Sequence, residues 1–200
     1  GFQAVSAEIS EQSSFPASRI YEELLRVFET KGRGKVFNET LANLGIRGLD
    51  VQALVRVYRQ HRPQIDLFPG ARLALEYFKH PERRGVYVLT DGNRFVQRSK
   101  FKALGLDGLV ERGFFTRDMG MSFEKPSTKY FEILTRNWGV KISEIVYVGD
   151  DPSKDFIGLN KIGATTVRVL TGRFADTPAK GNQAASITIP DLSELPRLFD

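Results

Sequence analysis

The chain contains no cysteine. Disulfides, thiolate metal sites and cysteine nucleophiles are excluded, and a reducing, cytoplasmic setting is the expectation. Histidine is almost as scarce. His61 and His80 have no partner pattern and take no catalytic role. No apolar run approaches the length of a transmembrane helix, and no signal peptide is visible at Gly1, so no membrane partner is expected. Internal repeats and low-complexity tracts are absent as well. Nor is there a basic block. The formal charge of +5 is spread along the chain. It favours anionic ligands weakly and draws no nucleic-acid footprint.

What is present is ordinary in bulk: 200 residues, 41% hydrophobic and 26% charged. That length allows one domain, or one domain with a sizeable insertion, around a real core. Trp138 and the fifteen phenylalanines are most simply core. The informative stretch is Ile145-Val146-Tyr147-Val148-Gly149-Asp150-Asp151-Pro152-Ser153-Lys154-Asp155. A β-branched and aromatic run stopped by glycine predicts a buried strand. Three carboxylates then fall within six positions. Asp151 reads as a helix N-cap with Pro152 at the first helical position. The acids thus sit at the carboxyl end of a strand, where open α/β sheets bind ligands. Clustered carboxylates repel unless a cation offsets them, and with oxygen donors alone the natural ion is Mg²⁺.

Residues 1–66 read as helical and carry no strand pattern. Apolar spacing predicts helices over 18–29, through Ile20, Leu24, Val27 and Phe28, over 36–44, and over 51–61, through Val51, Leu54, Val55 and Tyr58. Pro16 suits a helix start, and Gly45 and Gly48 mark a turn. Lys31-Gly32-Arg33-Gly34-Lys35 is a basic turn rather than a phosphate loop. Glu29 stands where a Walker A motif needs its first glycine, and Val36 where it needs Ser or Thr. Arg56, Arg59 and Arg62 read as a solvated helix face. From Pro69 the texture alternates. Helices are expected over 70–80, 94–104, 128–138 and up to 162, strands over 85–90, 113–116, 145–149 and 165–170, an edge strand at 187–189 and a short closing helix over 192–199. This is the spacing of βαβ units and predicts an α/β doubly wound parallel sheet. The helical segment 1–66 is then a small all-helical cap inserted ahead of the core at 67–200.

Three signals fall at strand ends or in the loops after them: Thr90, Lys125, and Asp150 with Asp155. A hydroxyl, a cation and metal-binding carboxylates can jointly hold a phosphoryl group. Thr90 and the backbone N–H groups after it suit phosphate oxygens at a helix N-terminus. Taken singly, each has a structural reading: a strand-ending hydroxyl, a loop lysine, an N-cap beside solvated acids. Their joint occurrence, in this order on an α/β pattern, favours function.

The order Leu89-Thr90-Asp91-Gly92-Asn93, then Glu124-Lys125-Pro126, then Val148-Gly149-Asp150-Asp151-Pro152-Ser153-Lys154-Asp155 resembles motifs two, three and four of the haloacid dehalogenase-like hydrolase superfamily. The resemblance covers essentially the whole chain and is nearest to the phosphatase-like members with a helical cap. It implies a Rossmann-like core, Mg²⁺ as cofactor, and hydrolysis of a small phosphorylated metabolite through an aspartyl-phosphate. It also implies residue roles. Thr90, with Asp91 and Gly92, binds the transferring phosphoryl group. Lys125 stabilises that group and the nucleophile. Asp150 binds Mg²⁺, and Asp155 positions Lys125 or a metal-bound water. Asp151 ranks lower as a ligand, since relatives vary there.

The superfamily's first motif, Asp-x-Asp-x-Thr after a first strand, is absent. It supplies the nucleophile and the general acid/base. Asp50 and Asp66 lack its pattern. In the family that strand is central, so a sheet without it exposes two inner edges. Gly1-Phe2-Gln3-Ala4-Val5 resembles the start of the helix that follows the motif. The missing piece is one strand and one loop, on the order of 20 residues. The expectation is an N-terminally incomplete copy of an enzyme whose nucleophile lies upstream of Gly1. Two alternatives remain open. One is a haloacid dehalogenase, which attacks carbon and needs no Mg²⁺. The other is a catalytically inactive binding or regulatory domain. A receiver domain is discounted, because there the acids precede the Thr and Lys.

Overall fold

The computed structural model describes residues 1–32, 34–79 and 85–199. Arg33 of the basic turn, and His80 at the end of the helix expected over 70–80, lie outside the described residues. The chain divides into two compact units, Gly1–Gln64 and Ile65–Asp200.

The first unit is helical: α1 (Phe2–Glu11), α2 (Ala17–Lys31), α3 (Val36–Asn43) and α4 (Val51–Gln60). Apolar residues three and four apart give each helix one buried stripe. Val5 and Ile9 of α1 meet Ile20, Leu24 and Val27 of α2, Val36 and Leu41 of α3, and Leu54 of α4 in a single core. Each such side chain contributes about 1.5–3 kcal/mol by leaving water. Asp50 caps α4 by accepting from the Gln52 N–H at 2.8 Å. Glu23 is buried with that core. Its carboxylate accepts from the Arg26 guanidinium at 2.6 and 2.8 Å and from Asn43 Nδ2 at 2.7 Å.

The second unit alternates helix and strand: α5 (Ala71–Phe78), β1 (Tyr87–Thr90), α6 (Arg94–Ala103), β2 (Arg112–Phe115), α7 (Lys129–Trp138), β3 (Val146–Gly149), α8 (Ile157–Ile162), β4 (Thr165–Val169) and β5 (Ile187–Ile189). Every pairing is parallel. Thr90 pairs with Phe115, and Gly149 with Arg168. The strands form two sheets, β1-β2 and β3-β4-β5. Among the described residues, β1 and β3 therefore each have a neighbour on one side only. Leu89 of β1 and Tyr147 of β3 pack against the same group, Phe131, Leu159 and Ala164. At the opposite end of β1, Tyr87 stacks on Trp138, ring centroids 4.4 Å apart.

Three expectations are corrected. Both segments read as buried strands, β1 and β3, are half exposed. Tyr87 is 38% and Val146 39% accessible, while Val167 of β4 is at 0%. The cause is the single neighbour of each, whereas β4 is flanked on both sides. The helix expected from Pro152 is a turn over 152–156, and α8 proper starts at Ile157. The closing helix is two separate turns, Leu192–Glu194 and Pro196–Leu198. Pro196 has no N–H to carry a helix through.

Candidate active site

β1 and β3 deliver their carboxyl ends to one place. β1 ends at Thr90, and the side chain of the next residue, Asp91, is only 9% accessible. Fully buried Thr116, just after β2, fixes it by donating from Oγ1 to Asp91 Oδ1 at 2.9 Å. β3 ends at Gly149, which no other residue could replace without loss. A Cβ there would stand 2.6 Å from Asp155 Oδ2. The Asp155 carboxylate turns back under the strand end instead. Its Oδ2 accepts from the Asp150 N–H at 3.2 Å and the Asp151 N–H at 3.0 Å. Asp151 holds the following turn by accepting from the Ser153 N–H at 3.0 Å and Ser153 Oγ at 2.6 Å.

Lys125 joins the two strand ends. Its side chain is buried, and its ammonium lies 2.8 Å from Asp155 Oδ1, 2.6 Å from Tyr147 Oη and 3.8 Å from Asp91 Oδ2. Burial by itself disfavours the ammonium, but the oxygens of Tyr147, Asp155 and Asp91 outweigh it, and the lysine pKa is raised. Lys125 is a fixed cation at neutral pH. Burial also raises the Tyr147 phenol, so Tyr147 is neutral. The turn before Lys125 is tied to β1 by Glu124, whose Oε1 accepts from the Gly92 N–H at 2.7 Å and from Arg117 Nε at 2.7 Å.

The expected residues thus fall into three groups. Asp91, Lys125 and Asp155 form a linked cluster, which Lys154 joins from its rim, 3.7 Å from Asp91 Oδ2 and 3.8 Å from Asp151 Oδ2. Thr90 lies beside the cluster, its hydroxyl 3.4 Å from the Asp91 carbonyl oxygen, a weak contact. The backbone donors of the Gly92 turn are engaged internally. The Gly92 N–H meets Glu124, and Asn93 Oδ1 accepts from Phe95 and Val96 as the cap of α6. Asp150 stands apart. Its carboxylate forms no ion pair among the described residues. Its pKa is raised by burial first and then by the neighbouring Asp155 and Asp151 carboxylates.

Two observations bear on a metal. Asp150 is a half-buried oxygen donor with no ion-pair partner among the described residues, where burial and two neighbouring carboxylates outweigh the pull of Lys125, and Asp91 Oδ2 is buried without a hydrogen-bond partner. Hard oxygen donors of this kind suit Mg²⁺. Both Asp155 oxygens are already committed, to Lys125 and to two N–H groups. Among the described residues no three His, Cys, Asp or Glu side chains converge on one point. The donor chemistry fits Mg²⁺, but these residues supply only part of a coordination shell.

Thr116 stands outside the motif stretches, while Tyr147, Glu124 and Lys154 lie within them without an assigned role. Thr116 acts across a loop with no motif spacing. Tyr147 was hidden as an ordinary strand aromatic, although its position three residues before Asp150 was a usable signal.

The haloacid dehalogenase-like hydrolase model matches residues 3–163, most of the chain and all of the cluster. The chain belongs to this family. Among curated proteins it is 32% identical over 108 residues to glyceraldehyde 3-phosphate phosphatase of Methanocaldococcus jannaschii, covering 54% of this chain and 46% of that protein. It is 27% identical over 165 residues to phosphoserine phosphatase of Thermus thermophilus, covering 82% and 63%. It spans about half the length of the first of these relatives, 46%. Among solved structures, the HAD-hydrolase YfnB from Bacillus subtilis, bound to magnesium, superposes with a TM-score of 0.70 at 19% identity, covering 100% of this chain and 91% of that one. That likeness establishes the Rossmann-like fold. Among the described residues no helix is long and apolar enough to cross a membrane.

Proposed function

We propose that the protein is a Mg²⁺-dependent phosphomonoesterase whose nucleophilic aspartate lies on a strand upstream of Gly1. The observation that carries this reading is the buried Lys125 ammonium, 2.8 Å from Asp155 and facing Asp91, near an Asp150 carboxylate that forms no ion pair among the described residues. Lys125 carries a permanent charge where phosphoryl oxygens gain negative charge, which lowers the barrier most when water is excluded. Asp155 fixes that ammonium in place. Thr90 offers a hydroxyl to a phosphoryl oxygen at the end of β1. Asp150, with carboxylates from the upstream strand, would hold Mg²⁺, which supplies Lewis-acid neutralisation of the phosphoryl group. The unpaired sides of β1 and β3 support a further strand between them. The nucleophile on it attacks phosphorus and releases the alcohol, and water then frees phosphate.

The relatives named above are phosphatases of glyceraldehyde 3-phosphate and phosphoserine, so the substrate class is a compact organic phosphate. On this reading the helical segment 1–66 is the family's cap. The net unfavourable setting of the Asp150 charge, raised by burial and by Asp155 despite Lys125, favours a metal-dependent reaction over carbon–halogen cleavage, which needs no such cation.

The test reads the gene upstream of Gly1 and assays the full-length product with p-nitrophenyl phosphate, phosphoserine and glyceraldehyde 3-phosphate. Phosphate release that EDTA stops and Mg²⁺ restores is expected, with no halide released from 2-chloropropionate. An upstream sequence without a strand and Asp-x-Asp, or metal-independent halide release, overturns the proposal.

A further inference from the structure

A lysine side chain has four methylenes and three ammonium protons, and it keeps one direction only if acceptors surround its tip. At Lys125 the shortest contact is not with a carboxylate. It is with the Tyr147 phenol oxygen, at 2.6 Å, against 2.8 Å to Asp155 Oδ1 and 3.8 Å to Asp91 Oδ2. The same phenol oxygen stands 3.5 Å from Asp155 Oδ1, so the three groups close a triangle. The Tyr147 ring is itself anchored. It meets Phe131 of α7 edge-on, centroids 5.4 Å apart, and packs with Leu159 and Ala164. The ammonium also lies 5.2 Å from the ring centroid. Tyr147 thus couples the packing between α7 and β3 to the direction of a buried cation.

We propose that Tyr147 is a positioning residue for Lys125. Its phenol oxygen accepts one ammonium proton and leaves the others for Asp155 and for the anion that Lys125 faces. The catalytic consequence rests on the phosphatase reading above. The structural one does not. Tyr147 acts through Lys125 and has no contact with substrate. A phenol suits this task because it is neutral. A carboxylate at the same place would hold the ammonium more tightly and compete with phosphoryl oxygens for its charge.

Tyr147→Phe keeps the ring and its packing and removes only the acceptor. In the full chain labelled with ¹⁵N-lysine, the wild-type Lys125 ammonium is expected as a resolved, slowly exchanging resonance, assigned by its loss in Lys125→Met. In Tyr147→Phe that resonance broadens or exchanges at least tenfold faster, while the backbone spectrum and melting temperature stay near wild type. An unchanged Lys125 resonance overturns the proposal. In the full-length enzyme with p-nitrophenyl phosphate and Mg²⁺, Tyr147→Phe should lower kcat about tenfold with KM unchanged, and should cause no further loss in a Lys125→Met background. A rise in KM alone, or losses that multiply in the double variant, also overturns it. A wild-type enzyme that releases no phosphate refutes the phosphatase reading, and the resonance alone then decides the role of Tyr147.

Discussion

At the scale of single residues, the site is a balance of charges in which one acid is left over. Asp155 is matched by Lys125, and Asp91 faces both Lys125 and Lys154. Asp150 has no such partner, and its pKa lies above the usual 3.8 because burial and the adjacent Asp155 disfavour its charge. A carboxylate raised in the folded state weakens folding once it is ionised, and that cost is relieved as pH falls through its folded pKa. Asp150→Asn should therefore raise the melting temperature in metal-free buffer at pH 7. On the proposed phosphatase reading, the same change should cut Mg²⁺-dependent turnover by on the order of 10²-fold or more. Scanning calorimetry with and without Mg²⁺ checks the first, and a phosphate-release assay the second. Glu23 shows the opposite sign. The Arg26 hydrogen bonds lower it from 4.5 to about 2, with Asn43 helping against the cost of burial. Its contribution is complete above pH 4.5 and is lost as pH falls towards 2. Unfolding of wild type and Glu23→Gln, followed by circular dichroism, should differ at pH 6 and converge near pH 2.

At the scale of elements, the seat of α8 is set by one glycine. A Cβ on Gly158 would lie 2.1 Å from the Pro126 carbonyl oxygen, so α8 rests directly on the backbone that follows Lys125. Gly158→Ala must push that loop or α8 aside, at roughly 1–3 kcal/mol. For a chain of this size that lowers the melting temperature by about 2–4 °C per kcal/mol. Gly108→Ala is the control, because nothing lies within 4 Å of its Cβ position. It should change stability by less than about 0.5 kcal/mol. Equal shifts for the two would contradict this view of α8. The elements themselves were largely legible. Ile20, Leu24 and Val27 marked the buried face of α2, and the run ending at Gly149 marked β3. The turn over 152–156 was not legible. Pro152 and Asp151 have the chemistry of a helix start, but Asp155 folds back onto two N–H groups of the same turn. The site was legible as motif residues and not as contacts. Nothing in the spacing of Tyr147 or Thr116 says that one touches Lys125 and the other Asp91.

At the scale of the whole molecule, the described residues of the second unit form three buried clusters: one around Val167 and Ile189, one around Leu106 and Val110, and one around Phe131 and Leu159, the group under Leu89 and Tyr147. One contiguous core per domain is the more usual outcome. The third cluster takes a side chain from each sheet, Leu89 and Tyr147, and among the described residues β1 and β3 each keep an unpaired side. Unpaired backbone donors and acceptors on half-exposed strands template pairing with other chains. The 200-residue chain alone should therefore self-associate with rising concentration, more so than a form extended upstream by the proposed strand. Light scattering on the two forms checks this, and equal association would exclude the strand edges as the cause. The chain also carries its own optical probe of this sheet. Its single tryptophan, Trp138, is 36% accessible and packs against Tyr87 of β1 and Phe114 of β2. Loss of the β1–β2 pairing would wet the indole, so its fluorescence should move to the red as that sheet opens.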